Sequence, residues 1–379
     1  MVDGGGPSAM PTATHRNSSP TLHSVLSEIA FKKHHATNNS AEKRVGEAVC
    51  VEIRRLLRLP SVLLNFREHL PPSWTVTLMH GPDNAQVESM LPRHLLILGK
   101  IRLMLLPAQQ QHNISISHWR ASMMWHHHAS VASKITKQRL PVLITREELS
   151  AMLDVNVSNT TYREAAEASR VKAMNAYHAT ARIWYNGFLK SADFWTLFSA
   201  PNLLLFEVDS ILCPQPSIPL DWWLGRFAYV GGPWHRRVGV GALWCKNLVT
   251  CIGNSGLSLW NRALIAGLLA DGKLPPDFAN GTVRKPLLDL WASTSLQRLE
   301  RDGQLPLKAV PSEELAGAFS CSDPPEVTPG ILSSRGHTPF GLHGVGTWPL
   351  RLTRSRRMLL QRCPTIEAIS VNQSLDGLF

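Results

Sequence analysis

The chain has 379 residues and a net charge of +11; 44% of its residues are hydrophobic and 18% are charged. This composition excludes a disordered protein and provides enough apolar residues for one large α/β domain or two smaller ones. The positive charge favours anionic partners such as nucleic acid, phosphorylated metabolites, nucleotide diphosphates or acidic membrane surfaces, and it selects none of them.

The chain begins with a polar segment. Residues 1–20 are rich in Gly, Ser, Pro and Thr and lack the apolar run of a signal peptide or membrane anchor, so a disordered tail is predicted there. The most apolar stretch, 91–107, is interrupted by basic side chains such as Arg93 and Lys100, and no transmembrane segment is predicted from it. Together these features predict a cytoplasmic protein.

Strand and helix patterns then alternate. Apolar residues recur at helical spacing over 59–70, where Pro71 and Pro72 end the predicted helix. Runs rich in Val, Thr and Leu predict strands on either side of it. The predicted strands are 47–53, 74–80 and 101–106. Alternation of this kind is typical of a parallel sheet in a nucleotide-binding half, which we assign to 47–107.

The pattern weakens over 108–170, which we interpret as an insertion-like helical region. Its run His126-His127-His128 is interpreted as part of a surface insertion, because adjacent side chains point apart and rarely bind one metal ion. Ser191 then has the position of an N-cap for a short helix that contains Phe194 and Trp195.

The rest of the predicted domain, 171–350, contains the most apolar strand of the sequence, 202–208, which leads directly into Asp209. One α/β domain over 21–350 is therefore predicted, with a mixed, mostly parallel central sheet flanked by helices. A basic C-terminal tail follows at 351–379.

The six cysteines form no Cys-x-x-Cys motif and do not have zinc-finger spacing. We interpret them as buried thiols. A disulfide between Cys245 and Cys251 is an open alternative.

Asp209 is the strongest candidate for chemistry. A carboxylate directly after a buried strand lies at the carboxyl edge of the sheet, where open α/β folds bind ligands. Such a side chain can bind Mg²⁺ or Mn²⁺, which in turn can bind phosphate oxygens. The alternative is that Asp209 caps a turn or a helix after the strand.

Two glycine-containing stretches allow close approach of a ligand or a left-handed backbone. They are Gly231-Gly232-Pro233-Trp234 and Gly253-Asn254-Ser255-Gly256. Trp234 offers a flat apolar face to a sugar ring. The alternative is two tight turns and a core tryptophan.

Taken in order, several motifs resemble an uncharacterised family, a domain of unknown function with glycosyltransferase-A-like character. The first are Ala-Val-Cys-Val-Glu-Ile-Arg at 48–54, Leu-Pro-Pro-Ser-Trp at 70–74, and His80-Gly81 with Asn84. The later ones are Tyr185-Asn186, Ser-Ala-Asp-Phe-Trp at 191–195, Glu-Val-Asp-Ser at 207–210, Tyr-Val-Gly-Gly-Pro-Trp at 229–234, and Gly-Asn-Ser-Gly-Leu-Ser-Leu-Trp at 253–260.

This resemblance implies a glycosyltransferase that moves a sugar from a nucleotide-sugar donor to a hydroxyl acceptor, with Mg²⁺ or Mn²⁺. The implied roles are as follows. Glu52, Asn84, Trp234, Gly253, Asn254 and Gly256 would bind the donor or line the acceptor side; Asp209, Glu207 and His343 would hold the metal; Asp277 would be the general base.

The chain departs from the family pattern at three places. Glu207 replaces a Gln, Trp260 replaces an Arg, and Pro276-Asp277 replaces an acidic pair, so only Asp277 remains of that pair. The lost Glu favours an alternative, a catalytically degenerate binding protein with the same fold. The net charge and the basic tail suggest a third interpretation, a nucleic-acid-associated protein, which no nucleic-acid-binding motif supports.

Overall fold

The computed structural model describes residues 45–52, 56, 58–81, 84, 86–107, 185–234, 245–274, 287–321, 337–344 and 361–364. Within these ranges no helix is both long and apolar enough to cross a membrane. The predicted tail 1–20, the predicted insertion 108–170 and all of the basic tail 351–379 except 361–364 lie outside them.

Nine strands and eight helices have both ends within the described residues, with the following bounds. The strands are β1 Gly46–Glu52, β2 Trp74–His80, β3 Ile101–Leu105, β4 Asn202–Phe206, β5 Ile211–Leu212, β6 Tyr229–Val230, β7 Leu257–Asn261, β8 Ser320–Cys321 and β9 Gly341–Leu342. The helices are α1 Leu59–His69, α2 Val87–Met90, α3 Arg93–Ile97, α4 Ala192–Thr196, α5 Leu220–Trp223, α6 Arg262–Ala270, α7 Leu288–Arg301 and α8 Glu313–Phe319. A 3₁₀ helix spans Cys245–Asn247.

Six strands form the main sheet in the order β3-β2-β1-β4-β7-β6. The first four strands are mutually parallel, whereas β7 runs antiparallel to both β4 and β6. The predicted mixed, mostly parallel α/β sheet is therefore confirmed. Along this sheet the chain moves outward from β1 to β3 and then returns to the other side of β1 as β4.

The sheet is buried on both faces because alternate side chains of each strand enter different cores. In β4, Leu204 and Phe206 pack with α1 and α5, whereas Leu203 and Leu205 pack with α4, α6 and α7. Strands that are buried on both faces have continuous apolar sequences, and this is why 202–208 was predicted as a strand. The observed strand ends earlier, at Phe206.

A second sheet has the order β5-β9-β8 and is built from strands of two residues each. Asn65 of α1 binds β5 as a neighbouring strand would. Its Nδ2 donates to the Leu212 carbonyl at 3.2 Å, and its Oδ1 accepts from the Leu212 amide at 2.8 Å. The sequence analysis predicts none of these strands, because two residues carry no periodic signal.

The other predicted elements near the site have clear outcomes. Strand 74–80, the helix ended by Pro71, and the Ser191 N-cap are confirmed; Ser191 Oγ accepts from the Phe194 amide. Helix α7 was missed, although its apolar residues have helical spacing: Leu288, Trp291, Ala292, Leu296 and Leu299 are buried.

The interpretation of the cysteines as thiols is wrong for four of the six. Cys213 is joined to Cys363 and Cys245 to Cys251, while Cys50 and Cys321 are outside both disulfides. Cys213 and Cys363 are 150 residues apart in sequence. Only the fold brings them together, so sequence spacing gave no indication of this pair.

Candidate metal and donor site

The site lies at the carboxyl ends of β1 and β4, between which the strand order reverses. The register pairs Val49 with Leu205. Glu52 and Val208 each lie three residues further along their chains, and Asp209 follows Val208. Glu52 and Asp209 therefore both lie at the carboxyl edge of the sheet, where the strand order reverses. Open α/β sheets bind ligands at such switch points, because the loops that leave the two strands diverge there and leave a crevice.

A tight turn carries Glu207 and Asp209 away from β4. Gly256 anchors this turn, since its carbonyl oxygen accepts the Glu207 amide at 2.7 Å and the Ser210 hydroxyl at 2.6 Å. The Asn254 side chain in turn accepts the Gly256 amide at 3.2 Å. The predicted glycine turn 253–256 is thus the support on which the acidic turn is built.

His343 reaches the same point from the far end of the chain. It directly follows β9, which pairs antiparallel with β5, and Leu342 lies opposite Ile211. The His343 amide also donates to the Cys321 carbonyl at 3.0 Å. Its imidazole lies against Gly256, where an added Cβ would be 2.0 Å from Nε2. Only glycine allows this approach.

Glu207, Asp209 and His343 form one cluster. His343 Nε2 lies 3.3 Å from Asp209 Oδ1 and 3.6 Å from Glu207 Oε2, and the three ligand atoms are all within 4.8 Å of one another. The exposed side-chain fractions are 15% for His343, 22% for Asp209 and 43% for Glu207. The cluster is therefore half-buried, with Glu207 on its open side.

Three polar atoms of the cluster are buried, although the side chains that carry them are partly exposed. They are Asp209 Oδ1 and the two ring nitrogens of His343. His343 Nε2 and Asp209 Oδ1 form an ion pair with each other at 3.3 Å, and within the described residues no hydrogen bond reaches Nδ1.

The charges in the cluster shift the pKa of both buried groups. Burial alone would raise the pKa of Asp209, but the charges of His343 and Arg58 outweigh it and lower this pKa to about 2. Burial alone would lower the pKa of His343, but Asp209 and Glu207 raise it to about 10. Without a metal, His343 is thus an imidazolium between two carboxylates.

The turn 253–256 next to the cluster is held in place by contacts with Tyr229 and Trp234. The Tyr229 hydroxyl donates to the Gly253 carbonyl, and the Trp234 indole lies against the Gly253 Cα, where an added Cβ would overlap the ring. Trp234 is 7% exposed. The ring face that was predicted to contact a sugar is therefore covered, at least in part, by Gly253. Close approach explains Gly253, since its φ is not left-handed.

Glu52 and Asn84 lie on the other side of the switch point. The buried Asn84 side chain donates to the Glu52 carbonyl at 2.8 Å and so joins the ends of β1 and the segment after β2. Its Oδ1 has no hydrogen-bond partner among the described residues. Glu52 itself is 5% exposed.

Asp289, in the first turn of α7, is an acidic residue of the site that the sequence analysis missed. One turn later Ser293 donates to the Ile252 carbonyl, so this face of α7 faces the glycine turn. Burial raises the pKa of Asp289 to about 6; the Leu290 amide lowers it and the charge of Glu207 raises it further. The signal that would have found it is an acidic residue in the first turn of an amphipathic helix.

The predicted site residues thus fall into three groups. Glu207, Asp209 and His343 come together, Gly253, Asn254 and Gly256 support them, and Glu52 and Asn84 lie across the switch point. Asp277 lies outside the described residues. Trp260, which replaces the family's Arg, is completely buried between Trp195 and Tyr229 and belongs to the core.

Residues 168–343 match the profile of a family described as "Protein of unknown function (DUF5672)". The resemblance to an uncharacterised family is confirmed over this part, which is less than half of the chain and includes Glu207, Asp209, Asp289 and His343. The motifs before residue 168 lie outside the match. No curated protein matches the sequence significantly.

Three solved structures are distantly similar to this chain. Mouse xyloside xylosyltransferase 1 in its apo form is 12% identical, with a TM-score of 0.37 over 81% of this chain and 99% of that one. Glucosyl-3-phosphoglycerate synthase from Mycobacterium tuberculosis, in complex with Mn²⁺, UDP and phosphoglyceric acid, is 10% identical, with a TM-score of 0.30 over 78% and 72%. The glycosyltransferase GlyE of Streptococcus pneumoniae TIGR4 is 11% identical, with a TM-score of 0.34 over 87% and 63%. Similarity at this level places no ligand or catalytic residue in the present chain.

The ion pair predicts how stability depends on pH. The raised pKa of His343 stabilises the fold fully below its unfolded value of 6.5, and this stabilisation is lost as the pH rises toward about 10. The lowered pKa of Asp209 stabilises above 3.8, and this is lost as the pH falls toward about 2. In chelator, the free energy of unfolding of the wild type should therefore decrease from about pH 6 to about pH 9.

Urea unfolding at several pH values measures this dependence. His343→Gln, which cannot be protonated, should show a smaller decrease over the same range. The control His94→Gln changes an exposed histidine of α3 and should follow the wild type. Identical pH dependence in the wild type and His343→Gln would contradict the proposed charge state.

Proposed function

We propose that this protein is a metal-dependent glycosyltransferase that takes a sugar from a nucleotide-sugar donor and transfers it to a hydroxyl acceptor. The observation that carries the proposal is the Glu207–Asp209–His343 cluster at the carboxyl end of β4, beside the switch point of the sheet. The order of the motifs from Ala48 to Trp260 gives the class of donor, through the resemblance to a glycosyltransferase-A-like family.

The cluster has the dimensions of one face of a metal site. In an octahedral site with metal–ligand distances of about 2.1 Å, adjacent ligand atoms are about 3 Å apart. The separations of 3.3 and 3.6 Å from His343 Nε2 to the two carboxylates are close to this value. A bound cation would replace the direct contact between the buried atoms Asp209 Oδ1 and His343 Nε2, which lie 3.3 Å apart.

The chemistry of the ligands favours Mn²⁺ over Mg²⁺. Carboxylate oxygens suit both ions, whereas an imidazole nitrogen suits a transition metal better. An imidazolium cannot coordinate, so binding would release the His343 proton. When bound, the ion would supply positive charge that stabilises the diphosphate as the sugar leaves it.

The protein adds further groups for a diphosphate. Arg58 is the N-cap residue of α1, and its charge lowers the pKa of Asp209, so a second cation lies near the same carboxylate. Glu52 and Asn84 lie at the carboxyl ends of β1 and β2, the side on which the nucleoside would bind. The metal held by the Glu207–Asp209–His343 cluster and the charge of Arg58 would together orient the donor with its diphosphate toward β4.

A transferase of this kind needs a base for the acceptor hydroxyl. Asp277 was predicted from the family resemblance, and Asp289 is the acidic group that faces the glycine turn. The charged and titratable groups around Asp289 are Glu207, His343 and Tyr229. Its pKa of about 6 suits a base near neutral pH, because the carboxylate is ionised there and still accepts a proton readily.

Metal binding and donor hydrolysis provide the first test. Wild-type protein should bind Mn²⁺ and hydrolyse a UDP- or GDP-sugar slowly only when the ion is present. Asp209→Asn keeps the size of the side chain and removes its charge, so Mn²⁺ affinity should fall by about 10- to 100-fold or more. Asp193→Asn, an exposed change on α4, is the control. Donor hydrolysis that survives chelation would refute the metal-dependent mechanism.

Gly256→Ala tests the geometry of the cluster. The added Cβ would meet the imidazole of His343 and displace it, so Mn²⁺ affinity should fall while the far-UV circular dichroism spectrum is unchanged. Gly267→Ala is the matched control, because an added Cβ at this helical glycine meets nothing within 4 Å. Equal Mn²⁺ affinity of the two variants, measured by titration calorimetry, would exclude the cluster as the binding site.

Asp289→Asn and Asp277→Asn distinguish the two candidate bases. Loss of the base should lower kcat by about 10²- to 10⁴-fold and leave the Mn²⁺ affinity almost unchanged. If Asp289 is the base, wild-type kcat should rise with pH through about 6, and this rise should be absent in Asp289→Asn. A loss only in Asp277→Asn would assign the role to Asp277. Donor binding without turnover in the wild type would favour the degenerate binding protein.

A further inference from the structure

Two segments form the walls of the site, and each is attached to a disulfide. One wall is the strand pair β5–β9 next to Asp209 and His343, and the other is the turn 253–256 with Trp234. Cys213 directly follows β5, and Cys251 lies two residues before Gly253. The Cα–Cα distances are 4.7 Å for Cys213–Cys363 and 5.0 Å for Cys245–Cys251, within the usual range for disulfides. All four cysteines are buried.

The Cys213–Cys363 disulfide fixes the strand pair that brings Asp209 and His343 together. Asp209 lies two residues before β5, and His343 directly follows β9. The Cys213 amide donates to the Phe340 carbonyl at 3.0 Å, just before β9. On the other side of the disulfide, Arg362 donates to the His337 carbonyl at 3.0 Å. The disulfide therefore attaches a distant segment to the base of a pairing of only two residues per strand.

The Cys245–Cys251 disulfide fixes the opposite wall. The Trp234 amide donates to the Cys251 carbonyl at 3.1 Å, and the Cys251 amide donates to Glu313 Oε1 at 2.9 Å. Trp234 lies against Gly253, which leads into the turn whose Gly256 holds Glu207 and touches His343. A short series of contacts therefore connects this disulfide to Glu207 and His343.

We infer that the two disulfides make the metal site redox-sensitive: a dithiol reductant opens the site by releasing both walls. In this step each protein disulfide is reduced to two thiols, and the dithiol supplies the two electrons and two protons and becomes a disulfide itself. The inference concerns the regulation of the site described under Proposed function and rests on that function. The cytosol keeps most cysteines as thiols, so the site would be complete in an oxidising compartment.

Amide hydrogen exchange of the full-length chain, before and after treatment with dithiothreitol, tests this inference. Segments 207–213, 251–256 and 337–344 should exchange about tenfold faster or more after reduction, while β1 and β2 keep their rates. After removal of the reductant, Mn²⁺ affinity should be about 10- to 100-fold weaker than in the oxidised protein. The double variants Cys213→Ala/Cys363→Ala and Cys245→Ala/Cys251→Ala should each reproduce part of the effect, and Cys50→Ala should not.

Three results would overturn the inference. The first is an unchanged exchange rate in the site segments after mass spectrometry has shown that both disulfides are reduced. The second is the absence of the two disulfides in the unreduced protein. The third is faster exchange throughout the chain, both in the reduced protein and in both double variants. The last result would mean that the disulfides hold the whole fold and not the site. If the exchange result is as expected but oxidised protein does not bind Mn²⁺, the proposed function fails and the inference about the walls stands.

Discussion

The candidate site depends on one short pairing, that of Ile211–Leu212 with Gly341–Leu342. It brings Asp209, which follows the core strand β4, to His343, which follows β9 more than a hundred residues later in the sequence. A pair of two-residue strands has little stability of its own. Asn65 therefore completes the hydrogen bonds of Leu212 from α1, and β8 extends the pairing on the other side of β9.

Gly256 is the second constraint. Its carbonyl anchors the turn that carries Glu207 and Asp209, and the absence of a side chain leaves room for the His343 ring. One residue thus sets the position of all three members of the cluster. Gly253 lies against Trp234 for a similar reason, because the backbone of this turn passes close to both the core and the site.

The electrostatics of the cluster are consistent with a cation site. Two carboxylates at this separation repel each other, and without a metal the protonated His343 supplies the compensating charge. A divalent ion would replace that proton and bind the same atoms. Asp289 feels the same negative charge from Glu207, which helps to keep its carboxyl group weakly acidic.

The sequence by itself determined the central sheet and half of the site. Strand 202–206 is an almost continuous apolar run, so burial on both faces was readable from its composition, and a carboxylate after it had to lie at the sheet edge. The family resemblance added His343 as an expected third ligand, because related folds often supply one from a late loop.

Only the tertiary structure decided which of these residues meet. The distance between Asp209 and His343, the Cys213–Cys363 disulfide and the approach of Asp289 to the glycine turn all depend on contacts between residues far apart in sequence. Local periodicity describes how a segment buries its own side chains and carries no information about its distant partner. Two-residue strands and single close approaches are decided by packing, which the sequence pattern does not express.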